Sequence, residues 1–372
     1  MKIGAWNYTK CNLYSPKECV DHWKELGFSF MLSSVSKDTK EDNQYILDTL
    51  KECEKAGIKL IVVNKCFLNM SLEEVGETSY EEKVREYSKI YNAYSSFGGI
   101  FICDEPHAAD FPCLKKACSI VSKYAKPFVN FLAINAVVGC CGWDNVNENQ
   151  YLDMIEDLIK NHGLAFVSYD YYLQCDINFN QKGIDDYFYN LMKFGELARK
   201  NNVPFVVTNL SVGHWFYREP TLDDIRWQLS TSFALGATNN LWFFLYEREI
   251  ESSYRNAPID LFKRKTEGFY YLKREDYCIS LHSNELEGYE FKQALFIKDK
   301  NYSNDELGIE IKARNKGNII VSSFAKSNEI ALAIVNNEQR EVEALEIKYK
   351  GNSNLYCIAN NNHKKQKQDH GF

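Results

Sequence analysis

The sequence predicts an α/β protein: a (β/α)8 TIM barrel over residues 1–284, followed over 285–372 by a small antiparallel β-sandwich domain with a polar C-terminal tail. Three observations carry that prediction. Strand-like apolar runs alternate with amphipathic helical runs eight times before residue 282, and from about Glu285 the rhythm changes to short runs separated by Asn, Gly, Asp and Lys. The first strand is followed by AWNYTKCN rather than by a glycine-rich phosphate turn. Each parallel strand needs a crossover helix and eight such units close a ring, whereas an open doubly wound sheet more often shows the phosphate turn.

The elements follow in order. Ile3–Trp6 is strand one; its helix is opened by Ser15-Pro16 and closed by Gly27, an N-cap, a first-turn proline and a terminal glycine. Phe28–Leu32 is strand two, with a helix over Glu41–Ala56 closed by Gly57; Lys59–Asn64 (KLIVVN) is strand three. The helix Tyr80–Tyr94 sets Val84, Tyr87, Ile90, Tyr91 and Tyr94 at helical spacing. Strand four is FGGIFICDEPH, Phe97 to His107, an apolar run bounded by Gly98-Gly99 and by Pro106, which cannot continue a ladder.

Lys126–Ala133 is strand five, with a helix from about Asn149 to Asn161. Leu164–Tyr169, ending in Asp170, is strand six, with a helix around Asp185–Lys200. Val203–Asn209 is strand seven, and the helix Thr221–Leu235 carries the start signal Thr221-Leu222-Asp223-Asp224. Asn240–Tyr246 (NLWFFLY) is strand eight, and a last helix spans about Pro258–Leu281. Beyond a boundary near Ser283–Gly288, FKQALFI, LGIEIKA, NIIVSSFA, EIALAIVN, VEALEIKY and NLYCIAN read as the strands of the small domain. The basic run His363–Lys367 reads as part of a solvated tail.

Composition excludes several classes of function. At 372 residues, 45% hydrophobic and 26% charged, the chain is ordinary for a soluble globular protein, and its net charge of −7 argues against a nucleic-acid partner. MKIGAWNYTK lacks the apolar core of a secretory signal, and no run of about 18 apolar residues exists. A cytoplasmic protein without a membrane partner is expected. The twelve cysteines are scattered, without a CxxC pair, and read as free thiols; Cys140-Cys141 are adjacent and would bond each other only with strain. The seven histidines show neither HxH nor HExxH spacing, so no metal and no cofactor is expected.

In such a barrel the site is built at the strand C-termini. Those positions hold Trp6, Asn64, Asp104 and Glu105, Asn130, Asp170 with Tyr171 and Tyr172, Asn209, His214, Trp215, and Tyr246 to Glu249. Carboxylates, carboxamides and large aromatics suit a sugar, which shows both a ring of hydroxyls and apolar C–H faces. Breaking a glycosidic bond takes a proton for the leaving oxygen and a second carboxyl group opposite it. Glu105 is the expected proton donor, and Asp170 or Glu247 its catalytic partner across a sugar-sized hollow. Trp6, Asn64, Asp104, Asn130, Tyr172, Asn209, His214, Trp215 and Tyr246 are the candidate substrate-binding residues.

The segments GGIFICDEP, FVNFLA, VSYDYY and REPTLDDIRWQLSTSFALGATNNLWFFLY resemble the barrels of clan A glycoside hydrolases, in particular the less characterised relatives of the family 42 beta-galactosidases. The resemblance implies that Glu105 is the acid/base, with Asp104 in the place of the clan's asparagine. It also implies a nucleophilic glutamate at the end of strand seven. VVTNLSVGHW departs from that pattern, and the first acid after it is Glu219. The chain is thus expected to be a glycosidase acting on a small glycoside or oligosaccharide. The alternatives are a catalytically idle carbohydrate-binding barrel and, more remotely, a sugar-phosphate isomerase or aldolase, which would need a phosphate loop after strand seven or eight.

Overall fold

The computed structural model describes residues 1–140, 146–178, 180–248, 253–338, 343–349, 355–359 and 362–368. Cys141 and Glu249 lie outside them. Eight parallel strands form the central sheet: β1 Lys2–Ala5, β2 Phe30–Leu32, β3 Lys59–Val62, β4 Phe97–Asp104, β5 Pro127–Phe131, β6 Val167–Asp170, β7 Phe205–Leu210 and β8 Asn239–Phe243. Neighbours pair in chain order from β2 to β8, and β8 pairs with β1 in the register Ile3↔Asn240. The ring closes where the Ser29 N–H donates to the Ile3 carbonyl at 2.8 Å. Gly4 makes that closure possible, because a Cβ there would stand 2.2 Å from the Phe30 carbonyl oxygen.

Around the strands lie α1 Pro16–Glu25, α2 Lys40–Ala56, α3 Asn69–Val75, α4 Glu77–Tyr91, α5 Phe111–Ser122, α6 Glu148–His162, α7 Gln181–Lys200, α8 Leu222–Ala234 and α9 Glu267–Glu285. Local signals set their ends. Ser15 and Glu18 form a capping box on α1, as Thr221 and Asp224 do on α8, and Gly57 ends α2 in the left-handed conformation. Two helical expectations need correction. The short α3 is an addition, and the last helix starts at Glu267 rather than near Pro258, because residues 258–265 turn back through Ile259 hydrogen bonds to Leu245 and Glu247.

Two apolar layers hold the barrel. Outward-facing strand residues such as Ile3, Leu60, Ile102 and Val129 pack against the helices, while Trp6, Phe30, Ile61, Phe101, Phe128 and Leu241 fill the interior. Alternation along a strand decides which layer a residue joins. In β4 it is interrupted. The ladder to β5 runs Phe101↔Phe128, then Cys103↔Val129 and Asp104↔Asn130, so Ile102 and Cys103 both face the helices and Asp104 returns to the inside. Gly98 and Gly99 lie within β4 rather than bounding it; Gly99, at φ +146, sits where a Cβ would be 2.4 Å from the Lys126 carbonyl oxygen.

After α9 come β9 Glu290–Ile297, β10 Asn301–Asn304, β11 Ile309–Ala313, β12 Ile319–Lys326, β13 Glu329–Asn336 and β14 Leu345–Tyr349. They form two antiparallel sheets, β9-β12-β13 and β10-β11-β14, which share a core of Ile297, Ile309, Ile311, Ile319 and Val321. Within the polar C-terminal segment, residues 362–368 pair antiparallel with 355–359. Phe324 stacks on Phe233 of α8 at 5.7 Å and Trp227 Nε1 donates to Asn337 Oδ1 at 3.2 Å, tying these sheets to the barrel.

Candidate active site

The interruption in β4 puts Asp104 beside Asn130 on the inner face at the C-terminal mouth. Glu105 follows with φ +48, a left-handed conformation that is unusual for a residue of its size and that redirects the chain just after Asp104. Its N–H still donates to the Asn130 carbonyl at 2.8 Å. Adjacent acids that would diverge on a regular strand therefore serve one site.

Asn130 is the hub of that site. Its Nδ2 donates to Asp104 Oδ1 at 3.2 Å and to Asp170 Oδ1 at 3.0 Å. Its Oδ1 accepts from Ser168 Oγ at 2.9 Å and Thr208 Oγ1 at 3.4 Å, which fixes the amide orientation from the two following strands. Tyr8 adds a hydroxyl donor to Asp104 Oδ2 at 3.2 Å. The Glu105 and Asp170 carboxyl groups hydrogen-bond each other, which requires a proton between them.

The electrostatics follow from crowding. Asp104 and Glu105 are open to water, yet protein surrounds the mouth closely enough for desolvation to be the leading cause of every shift. Desolvation and then the Glu105 charge push Asp104 up to about 7, against the pull of Asn130 and Tyr8. Asp170 is driven well above the carboxylate range by desolvation, then by Glu105 and Asp104. Glu105 is raised by desolvation, while the Asp170 hydrogen bond and the charge on His107 act the other way. Such a cluster keeps a transferable proton near neutral pH. Among the described residues, no group of three or more His, Cys, Asp or Glu side chains is arranged to hold a metal ion.

Aromatic rings form the rest of the mouth. Tyr8 stacks on Trp6 at 5.3 Å, Tyr172 stacks on Phe243 at 5.5 Å, and His214 stacks on Tyr254 at 4.5 Å. The Arg248 guanidinium lies over the Tyr8 ring at 4.9 Å and faces Tyr254 at 5.5 Å. The Phe243–Phe244 peptide is cis. Trp215 is 65% exposed at the rim, with φ +49, and His214 lies against it at 4.9 Å. A groove of about 430 Å³ on the outside of the barrel, lined by Asn43, Leu47, Tyr87 and Tyr91 of α2 and α4, is remote from this chemistry.

Several candidates from the sequence fall elsewhere. Glu247 accepts the Ala257 N–H at 2.8 Å, and its charged neighbours are Asp260 and Glu219 rather than the carboxyl cluster. Asn64 is fully buried and caps its own loop through the Cys66 N–H, bonding also to Asn43. Asn209 faces the helices, donating to Ser232 Oγ and Asn240 Oδ1, and Tyr246 is buried against Tyr14 and His22 of the α1 region. Trp6 is only 5% exposed and serves as the floor beneath Tyr8. Asp170 meets Glu105 directly rather than across a hollow. Strand parity carries the residues that sequence reasoning missed: Tyr8 shares the inner face with Trp6, and Phe243 with Leu241. Ser168 and Thr208 follow from the same rule and Arg248 lies within the strand-eight tip Tyr246 to Glu249, whereas Tyr254 had no sequence signal.

Comparison with solved structures finds the barrel fold in known proteins. The beta-galactosidase of the psychrophilic Marinomonas ef1 superposes with a TM-score of 0.57 at 10% identity, over 77% of this chain and 60% of that one. The GH5_18 glycoside hydrolase of Bifidobacterium longum gives 0.55 at 10% identity, over 76% and 79%, and the beta-galactosidase of Halorubrum lacusprofundi gives 0.54 at 10%, over 75% and 58%. The likeness is one of fold: the parallel eight-stranded barrel with its surrounding helices. No family model matches the sequence, and no curated protein matches it. The chain spans about 60% of the length of the first of these beta-galactosidases. No helix among the described residues is long and apolar enough to cross a membrane.

Proposed function

We propose that this chain is a glycoside hydrolase acting on a small glycoside or oligosaccharide, with Glu105 as general acid and then general base. The observation that carries the reading is the proton-holding cluster of Asp104, Glu105 and Asp170 around Asn130, facing aromatic walls at the mouth of the barrel. In this reading Tyr172, His214 and Trp215 contact the sugar. Asn130, which is buried, positions the acids. Kinship with the family 42 beta-galactosidases, a sandwich packing of the C-terminal sheets and a cytoplasmic site of action belong to the same proposal.

A second reading, a carbohydrate-binding barrel without turnover, is favoured by one observation: Glu105 and Asp170 hydrogen-bond each other instead of standing apart as an acid and a nucleophile would. One experiment tests both. Chromogenic glycosides are screened with wild type and Glu105→Gln, and sugar binding is followed by calorimetry. Turnover by wild type that falls by about a thousandfold or more in the variant supports the hydrolase. Binding without turnover supports the second reading, and neither binding nor turnover refutes both.

A further inference from the structure

The carboxyl groups crowd one side of the mouth. Asp104 and Glu105 come from the end of β4 and Asp170 from β6, all around the amide of the intervening β5. A glycosidase that supplies its own nucleophile or activates water by a second carboxylate sets its two acids about 5–5.5 Å or about 6.5–9.5 Å apart, on opposite faces of the scissile bond. Hydrogen-bonded carboxyls are closer than either arrangement. Tyr8, which bonds Asp104, packs on Phe243, and Phe243 packs in turn on Tyr172, Tyr254 and His214. At the end of β7 stands Ser211, whose hydroxyl is spent on the Phe244 carbonyl at 2.9 Å, and the Glu247 carboxylate is held by Ala257. Among the described residues, then, the far face of a bound sugar would meet rings rather than a carboxylate.

We propose that the substrate is a glycoside of a 2-acetamido sugar whose own acetamido oxygen is the nucleophile, with Glu105 as acid/base and Asp104 holding the acetamido N–H. This rests on the hydrolase reading above. Asp104 is suited to that part: each oxygen takes one donor, from Asn130 and Tyr8, while a carboxylate has about four acceptor sites. It is open to the mouth, beside an apolar corner where the Tyr8 and Phe243 rings meet edge to face at 5.7 Å.

In the first step the Glu105 proton passes to the glycosidic oxygen as the bond from that oxygen to C1 breaks, and the bonding pair leaves with the aglycone. A lone pair of the acetamido oxygen forms the new bond to C1, giving a bicyclic oxazolinium whose N–H is held by the Asp104 carboxylate. In the second step water gives a proton to the Glu105 carboxylate and attacks C1, and the pair in the ring oxygen bond returns to the amide. Water is the sole co-reactant, and the anomeric configuration is retained.

The test uses the wild-type chain with three 4-nitrophenyl probes sharing one anomeric configuration: the 2-acetamido glycoside, its N-trifluoroacetyl analogue and the parent 2-hydroxy glycoside, each in the gluco and galacto series. Turnover of the acetamido probe is expected to exceed that of the 2-hydroxy probe by about a hundredfold, and fluorination to slow it by about tenfold or more, because the carbonyl oxygen becomes a poorer nucleophile. The fused 2-methylthiazoline analogue should compete with the substrate. Cleavage of 2-hydroxy glycosides at equal or greater rate, or indifference to fluorination, would overturn the inference and leave the hydrolase standing. Failure to cleave any probe in a wider glycoside panel would overturn both.

Discussion

Replacing Asp104 by asparagine should stabilise the fold at alkaline pH while costing activity. In the folded chain this carboxyl holds its proton to about 7 instead of the ordinary 3.8. The folded state therefore binds a proton between those limits that the unfolded state has released. The stabilisation is complete below about 3.8 and is lost as pH rises through about 7, so above 7 the ionised carboxylate works against folding. At about 1.36 kcal/mol per pH unit the ceiling on this penalty is about 4 kcal/mol. The side chain is exposed, so solvent screening reduces the expected effect to about 1–2 kcal/mol. Asparagine keeps an acceptor for Tyr8 or Asn130 and never ionises. Urea unfolding of wild type and Asp104→Asn at pH 4.5 and pH 8 measures the difference. A gain at pH 8 that is nearly absent at pH 4.5 is expected. Equal destabilisation at both pH values would refute the reasoning, since it would mean that hydrogen bonding and not charge sets the energy of this group.

Four further outcomes follow from the same structure. Asn130→Ala removes the donors that hold Asp104 and Asp170 down and orphans two hydroxyls; it should cost about 1–3 kcal/mol, lower kcat by about a hundredfold, and move the pH–rate profile upward. Gly4→Ala forces a Cβ onto the Phe30 carbonyl at the closure of the ring and should destabilise by about 1–3 kcal/mol in urea unfolding. Trp215→Ala should leave stability within about 0.5 kcal/mol but raise KM without changing kcat, the sign of lost uniform binding. Glu247→Gln should leave turnover within about twofold, because its carbonyl oxygen can still accept the Ala257 N–H; a loss of about a thousandfold would instead make it the second catalytic acid.

The barrel was legible because its signals are local. Ser15-Pro16, Gly57 and Thr221 mark helix ends through their own backbone neighbours, and runs such as LIVV are too apolar to lie anywhere but inside. The acids were legible too, since Asp104, Glu105 and Asp170 end strands four and six. What misled was treating every residue near a strand end as facing the mouth. Asn64, Asn209 and Tyr246 are near such ends and point toward the helices, where Asn43, Ser232 and Tyr14 engage them.

Sequence by itself determined the repeating β/α order, the helix caps and the chemistry available at the strand tips, because periodicity and capping act over a few residues. The tertiary structure decided which of those side chains meet. One interruption in the β4–β5 ladder returns Asp104 to the inner face, and one left-handed residue turns the chain at Glu105. The pairing register and the backbone angle that produce both are set by the neighbouring strand, to which Asp104 and Glu105 are joined only after folding.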